Sequence, residues 1–140
     1  MDCGSNNLTE LPELPKSLRK LDCDNNNLTE LPKLPKLLRE FNCGSNSLTE
    51  LPKLPNSLEQ LLCNNNKLYE LPELPINLLV LYCQHNNIKY LSSNNCEVIK
   101  ELNAHGGDYD DWNTEFNVLD NPFSADFSSN EDFKEYLLAI

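Results

Sequence analysis

Six cysteines are the first residues to test for chemistry, because a thiol supplies a nucleophile, a metal ligand or half of a disulfide. Cys3, Cys23, Cys43, Cys63 and Cys83 recur every 20 residues, and Cys96 stands apart. Equal spacing argues against bridges. If successive copies stack as parallel strands, neighbouring cysteines lie ~4.8 Å apart, whereas a disulfide needs Cβ atoms at ~3.8 Å. The column therefore reads as reduced, buried thiols acting as small hydrophobes, and Cys96, with Lys100 as its basic neighbour, is the candidate for an exposed thiol. Cys83-Gln84-His85 has the outline of a nucleophile or ligand pair, but alternation along a strand sends Cys83 inward and leaves His85 at a turn. Asp22-Cys23-Asp24-Asn25-Asn26 imitates the opening of a calcium loop. It fails further on, with Asn27 where glycine is required and Lys33 where the bidentate glutamate belongs. His105 with Asp108 and Asp110 reads as a solvated loop rather than a metal pocket. Asn7-Leu8-Thr9 and Asn27-Leu28-Thr29 match the glycosylation sequon because the repeat recurs. Phosphate-cradling glycine loops, nucleophile elbows and Ser/His/Asp sets are absent from the sequence. The expectation is a protein that is not an enzyme, with no catalytic residue, no metal and no cofactor.

The elements that position these residues follow from self-similarity. Blocks beginning at residues 1, 21, 41, 61 and 81 superimpose without a gap. Asn6, Asn26, Asn46, Asn66 and Asn86 form one column, and Leu8, Leu28, Leu48, Leu68 and Ile88 another. Leu11, Leu14, Leu18 and their equivalents fill three more, and Pro12 and Pro15 recur to give four LPxLP motifs. In Leu21-Asp22-Cys23-Asp24 apolar and polar residues alternate, as a strand with one buried face requires. Each copy thus contributes one short strand, and copies of equal length stack in parallel. The asparagines fall where the chain leaves the strand, and an inward amide there can pair backbone groups of adjacent turns. Cys23, Cys43, Cys63 and Cys83 with Asn26, Asn46, Asn66 and Asn86 are accordingly read as a structural ladder. The prolines remove donors and hold φ near −65°, so the return path is extended or polyproline-like.

Read from Leu18, the unit LxxLxCxxNxLTxLPxLPxx resembles the leucine-rich repeat in its short 20-residue LPxLP subtype. That subtype is familiar from secreted bacterial effectors of the YopM and IpaH kind, and related repeats occur in giant viruses of amoebae. The resemblance implies a mainly β and irregular solenoid: a right-handed coil with short parallel strands on a concave face, a polyproline-like convex side and a C-terminal capping helix. It covers residues 1–123, as about seven repeats of which the last two are irregular. After Leu91 the proline-rich back gives way to SSNNCEVIK; Ile99, Leu102 and Ala104 then restore the pattern one residue late and predict a sixth strand. Phe116, Val118, Asn121 and Phe123 predict a seventh. Residues 124–140 belong to the same domain as its cap: Ser128 to Glu131 resembles a capping box, and Phe133, Leu137 and Ile140 have helical spacing. IpaH-type effectors append a ubiquitin-ligase domain whose cysteine precedes an aspartate by two residues. None of the six cysteines here stands so, and that activity does not carry over. Met1-Asp2-Cys3 begins inside a repeat, and the expectation is either a fragment of a longer chain or a strand edge that pairs with another chain.

The 140 residues bound the chain to one domain, and its net charge of −11 disfavours nucleic acid and anionic membranes as partners. Residues 101–140 hold ten acids against Lys134 alone. The longest apolar run, Leu78 to Cys83, is far short of the ~20 residues that cross a bilayer, and the expected location is the cytoplasm, a host cell's cytoplasm or a virion.

Function then belongs to strand positions facing away from the core, which stacking joins into one surface. These are Lys20, Asp22, Asp24, Glu40, Asn42, Gly44, Gln60, Leu62, Asn64, Val80, Tyr82, Gln84, Glu101, Asn103 and His105. Their character runs from charged through amide to apolar. Leu62, Val80 and Tyr82, ringed by Gln60, Asn64, Gln84, Asn103 and His105, form the candidate centre of a protein-binding site. A second reading has the acidic C-terminal segment folding over the patch. Asp108 to Trp112 is a further candidate surface, with Trp112 either an anchor or packed inward at the position equivalent to Leu11. The function read from the sequence is non-catalytic binding of a protein partner on the concave face. The alternative is a structural or assembly protein: a virion component, or a homodimer formed through the N-terminal edge.

Overall fold

The structure is a computed structural model that describes residues 1–104, 115–119, 121–122, 132–133 and 135. Its strands are β1 (Lys20–Asp22), β2 (Glu40–Asn42), β3 (Gln60–Leu62), β4 (Val80–Tyr82) and β5 (Glu115–Asn117), with one helix, α1 (Ser93–Ala104), between β4 and β5. All five strands pair in chain order in one parallel sheet. Asp2 adds a single parallel bridge to Asp22 at its open edge, where the terminal amine of Met1 donates to the Lys20 carbonyl at 2.7 Å.

The register is what a constant period dictates. Leu21, Phe41 and Leu61 stand directly against one another and against Leu81, each shifted by 20 residues. Leu21, Phe41, Leu61 and Leu81 are buried, as are Cys23, Cys43, Cys63 and Cys83 and the column Leu28, Leu48, Leu68 and Ile88. These columns form one continuous core cluster. The return path carries neither helix nor strand through the LPxLP motifs. Each second proline instead opens a turn back into the next strand, with the amides of Leu18, Leu38, Leu58 and Leu78 donating to the carbonyls of Pro15, Pro35, Pro55 and Pro75 at 3.0–3.2 Å.

The predicted sixth strand is a helix. Ile99 and Leu102 are buried on α1, and β5 pairs directly with β4, placing Phe116 against Leu81. The step from Val80 to its partner Glu115 is thus 35 residues rather than 20. The physical reason is local: residues 93–104 contain no proline, so every donor of a helix is available. Ser92 caps it by accepting from the Asn95 amide at 3.2 Å. The spacing that fits a strand pattern at Ile99 and Leu102 fits one helical face equally well. Asn95, fully buried, fastens the helix to the fourth return by accepting from the Leu74 amide at 2.9 Å and donating to the Pro72 carbonyl at 3.1 Å. Of the expected cap at 124–140, Asp132, Phe133 and Glu135 are helical and Phe133 is buried; the remainder, including Leu137 and Ile140, lies outside the described residues.

The asparagine column holds adjacent turns together. Asn66 donates from Nδ2 to the carbonyls of Cys43 at 3.0 Å, Cys63 at 3.2 Å and Asn64 at 3.3 Å, while its Oδ1 accepts from the Leu48 amide at 3.0 Å. Asn26, Asn46 and Asn86 repeat the pattern, and Asn121 extends it across the enlarged repeat to the Cys83 carbonyl and the Ile88 amide. Asn6 has the two local bonds to Cys3 and Gly4 and is exposed. Asn66→Ala strands a buried amide and a buried carbonyl, so urea denaturation is expected to give a loss of about 3 kcal/mol or more. Asn6→Ala, at the exposed end of the same ladder, is expected to cost less than about 1 kcal/mol.

Candidate functional site

The backbone at each strand exit fixes which side chains face outward. Ser5, Asn25, Ser45, Asn65 and His85, one residue before each ladder asparagine, have φ of 55, 49, 53, 54 and 55°. This left-handed conformation reverses the side-chain direction between the inward cysteine and the inward asparagine. His85 is accordingly exposed while Cys83 is fully buried, so the two are not a catalytic or ligand pair. Nor does any cluster of three His, Cys, Asp or Glu side chains suited to a metal occur among the described residues.

All six thiols are free. Burial pushes Cys23 and Cys83 up to about 12, and Cys43 and Cys63 well above the ordinary thiol value, with neighbouring thiols adding to the effect at Cys23, Cys43 and Cys63. Cys96 is half-buried and raised as well, by burial first, so neither chemistry nor environment makes it a thiolate nucleophile. Cys23 Sγ lies 3.4 Å from the Asn42 carbonyl of the next turn, a weak donor contact consistent with a protonated thiol.

Three outward rows run along the sheet. Lys20, Glu40, Gln60 and Val80 stand in register in the first, beginning with a Lys20–Glu40 ion pair at 2.7 Å. Asp22, Asn42, Leu62 and Tyr82 form the second and continue to Asn117. Asp24, Gly44, Asn64 and Gln84 follow at the strand exits. Burial and then the Asp22 carboxylate shift the Asp24 carboxyl upward, so the Asp22 and Asp24 side chains feel each other's charge at this end of the face. Gly44 is buried beneath its neighbours: a Cβ there would come within 3.1 Å of Asn64 Oδ1 and 3.4 Å of Asn42 Oδ1.

The second row has a structural task that sequence reasoning missed. The Oδ1 atoms of Asp2, Asp22, Asn42 and Asn117 accept from the amides of Gly4, Asp24, Gly44 and Leu119 at 3.2–3.3 Å, each two residues on. These are Asx turns, and the Asp/Asn identity at those positions was the available signal. Leu62 and Tyr82 hold the same position and lack the Oδ1 that closes the turn. Together with Val80 they are half-buried and adjacent on the face, with Gln60, Asn64 and Gln84 around them. Gln84 Oε1 is buried and without a hydrogen-bond partner among the described residues. Asn103 does not join the row as expected, because its backbone belongs to α1. The side chain of Asn103, the whole of His105, and the Asp108 to Trp112 surface lie outside the described residues, as does most of the acidic segment proposed to cover the patch.

No family model and no curated protein matches the chain. Solved structures do. YopM from Yersinia enterocolitica superimposes with a TM-score of 0.68 over 84% of this chain at 31% identity. A Shigella effector leucine-rich-repeat domain superimposes with a TM-score of 0.62 over 64% of this chain at 42% identity. The chain spans 23% and 41% of the lengths of those two proteins.

The thiol shifts set an alkaline limit on stability. Folded thiols that hold their protons more tightly than the unfolded chain favour folding below the ordinary value of 9.0, and lose that contribution as pH climbs toward about 12. The unfolding free energy from urea denaturation is therefore expected to fall over this range, by roughly 1 kcal/mol per pH unit for each buried thiol. Cys63→Ala, although less stable at neutral pH, is expected to fall less steeply; an unchanged slope would place the thiol in solvent.

Proposed function

The chain is a leucine-rich-repeat solenoid resembling bacterial effectors, and from that premise we propose that its strand face is the binding surface for a protein partner, centred on Leu62, Val80 and Tyr82. The architecture itself is that of a protein-interaction module. What selects the centre is the break in the Asx row. Each of Leu62 and Tyr82 forgoes a hydrogen bond worth about 1 kcal/mol, and a Leu–Tyr cross-strand pair returns about 0.2–1 kcal/mol. The fold gains little from the exchange, while the surface acquires an aromatic anchor and two aliphatic neighbours. Gln60, Asn64 and Gln84 supply the polar rim. A partner recognised here presents an apolar side chain bordered by amide or amine donors. Binding of this kind involves no bond-making step. Along the sheet the patch sits between a charged flank at β1 and the paired strand β5 beyond β4.

The test separates folding from recognition. Leu62→Asn and Tyr82→Asn each restore an Asx acceptor, so thermal unfolding of the double variant is expected within about 1 kcal/mol of the wild type. Proteins retained from a native-cell lysate by the immobilised wild-type chain are expected to be lost from the double variant. Retention of the same partners by both would reject the strand face as the binding surface.

A further inference from the structure

Two columns of the strand-entry edge change character in the fourth copy. The first residue of each return turn is Lys16, Lys36, Asn56 and then Ile76, and the residue just ahead of each strand is Arg19, Arg39, Glu59 and then Leu79. Polar or charged in three copies, both positions become aliphatic in the fourth. Ile76 is 82% exposed and Leu79 40% exposed, although a turn tip and a strand entry are where the other copies place solvated groups. The helix that replaces the fifth return stands beside them. Between α1 and these turns runs a groove of about 820 Å³, whose apolar lining is Ile76, Leu78, Leu79, Val98 and Leu102.

The charges on the rim are as uneven as the lining. Glu59, Glu97 and Glu101 are carboxylates in the groove, and its one guanidinium, Arg39, is already engaged with Glu59 at 3.2 Å. Lys100 pairs with Glu97 from outside the lining at 3.1 Å, which leaves Glu101 without an ion pair among the described residues. An occupant must therefore bring both apolar area and positive charge. The sequence that follows α1 is a poor source, because residues 105–140 contain one base, Lys134, against nine acids. We infer that the groove between α1 and the strand-entry turns is a second docking site, for a segment of a partner protein that carries a large aliphatic or aromatic side chain beside a lysine or arginine. It shares no residue with the strand face and stands or falls separately from it.

The probe is a short synthetic peptide alternating leucine and lysine, titrated into the isotopically labelled full chain and followed by NMR, with a glutamate-for-lysine peptide as comparison. The leucine–lysine peptide is expected to saturate with shifts confined to Ile76, Leu79, Val98, Glu97 and Glu101, and to weaken as salt is raised. Ile76→Asn with Leu79→Arg, positions exposed enough to leave the fold intact by circular dichroism, is expected to reduce affinity at least tenfold. Glu101→Lys is expected to reduce it severalfold. Equal binding of the glutamate peptide, shifts that map to Leu62 and Tyr82 instead, or a concentration-dependent dimer of the free chain that buries Ile76 and Leu79 would each overturn the assignment.

Discussion

The carbonyl groups at each strand exit are the constraint on which the solenoid rests. A parallel strand of three residues ends almost as soon as it begins; amides just beyond it still pair with the next turn, but the carbonyls of Cys23, Cys43, Cys63 and Cys83 take their donors from asparagine side chains. A buried carbonyl left without a donor costs more than most side-chain contacts return. One asparagine per turn supplies the donors. It spans its own turn and the one before it, pairing Cys43 and Cys63 through Asn66 and then Cys63 and Cys83 through Asn86. No other side chain carries a donor pair and an acceptor on so short a stem, which is why asparagine recurs at residues 6, 26, 46, 66, 86 and 121.

Two further features follow from that pairing. The amide reaches both carbonyls only if the chain reverses sharply just ahead of it, and the left-handed residues at 5, 25, 45, 65 and 85 provide the reversal. Close approach of the turns also limits the volume of the preceding inward residue. Cysteine fits, and Val118 takes the same place at the end of the sheet, where Asn121 donates to both the Cys83 and Val118 carbonyls. The thiol is thus chosen for size and for its neutral, weakly donating sulfur rather than for reactivity. Its chemistry is suppressed by the same burial that makes it useful.

The repeat period made the columns of cysteine, asparagine and leucine legible, because identical spacing leaves a parallel stack as the sole arrangement that buries all of them at once. From that the outward rows through residue 84 followed directly. Ile99, Leu102 and Ala104 misled, since a strand pattern read over two apolar residues three apart is also the face of a helix, and the missing prolines, not the leucines, carried the decisive information. The left-handed column escaped notice because Ser, Asn and His share no obvious property apart from being short and polar. The Asx row was similarly hidden: Asp22 and Asn42 look like surface residues until the amide two positions on is seen to need them.

That last point changes what an exposed residue means in this fold. In a repeat array every position has a column of equivalents, so an outward side chain can be judged against the demand its column satisfies. Where the column is filled by groups that cap the backbone, a departure such as Leu62 or Tyr82 removes support from the fold. Where it is filled by solvated charges, a departure such as Ile76 or Leu79 adds apolar surface the core does not use. Solubility and stability disfavour both kinds of change. Departures of the two kinds lie next to each other in the third and fourth turns, on either side of the same strand entry, whereas Leu37, Tyr69 and Tyr90 are exposed departures in other columns. The regular turns build the support, and the two binding surfaces we propose use the irregular positions on it.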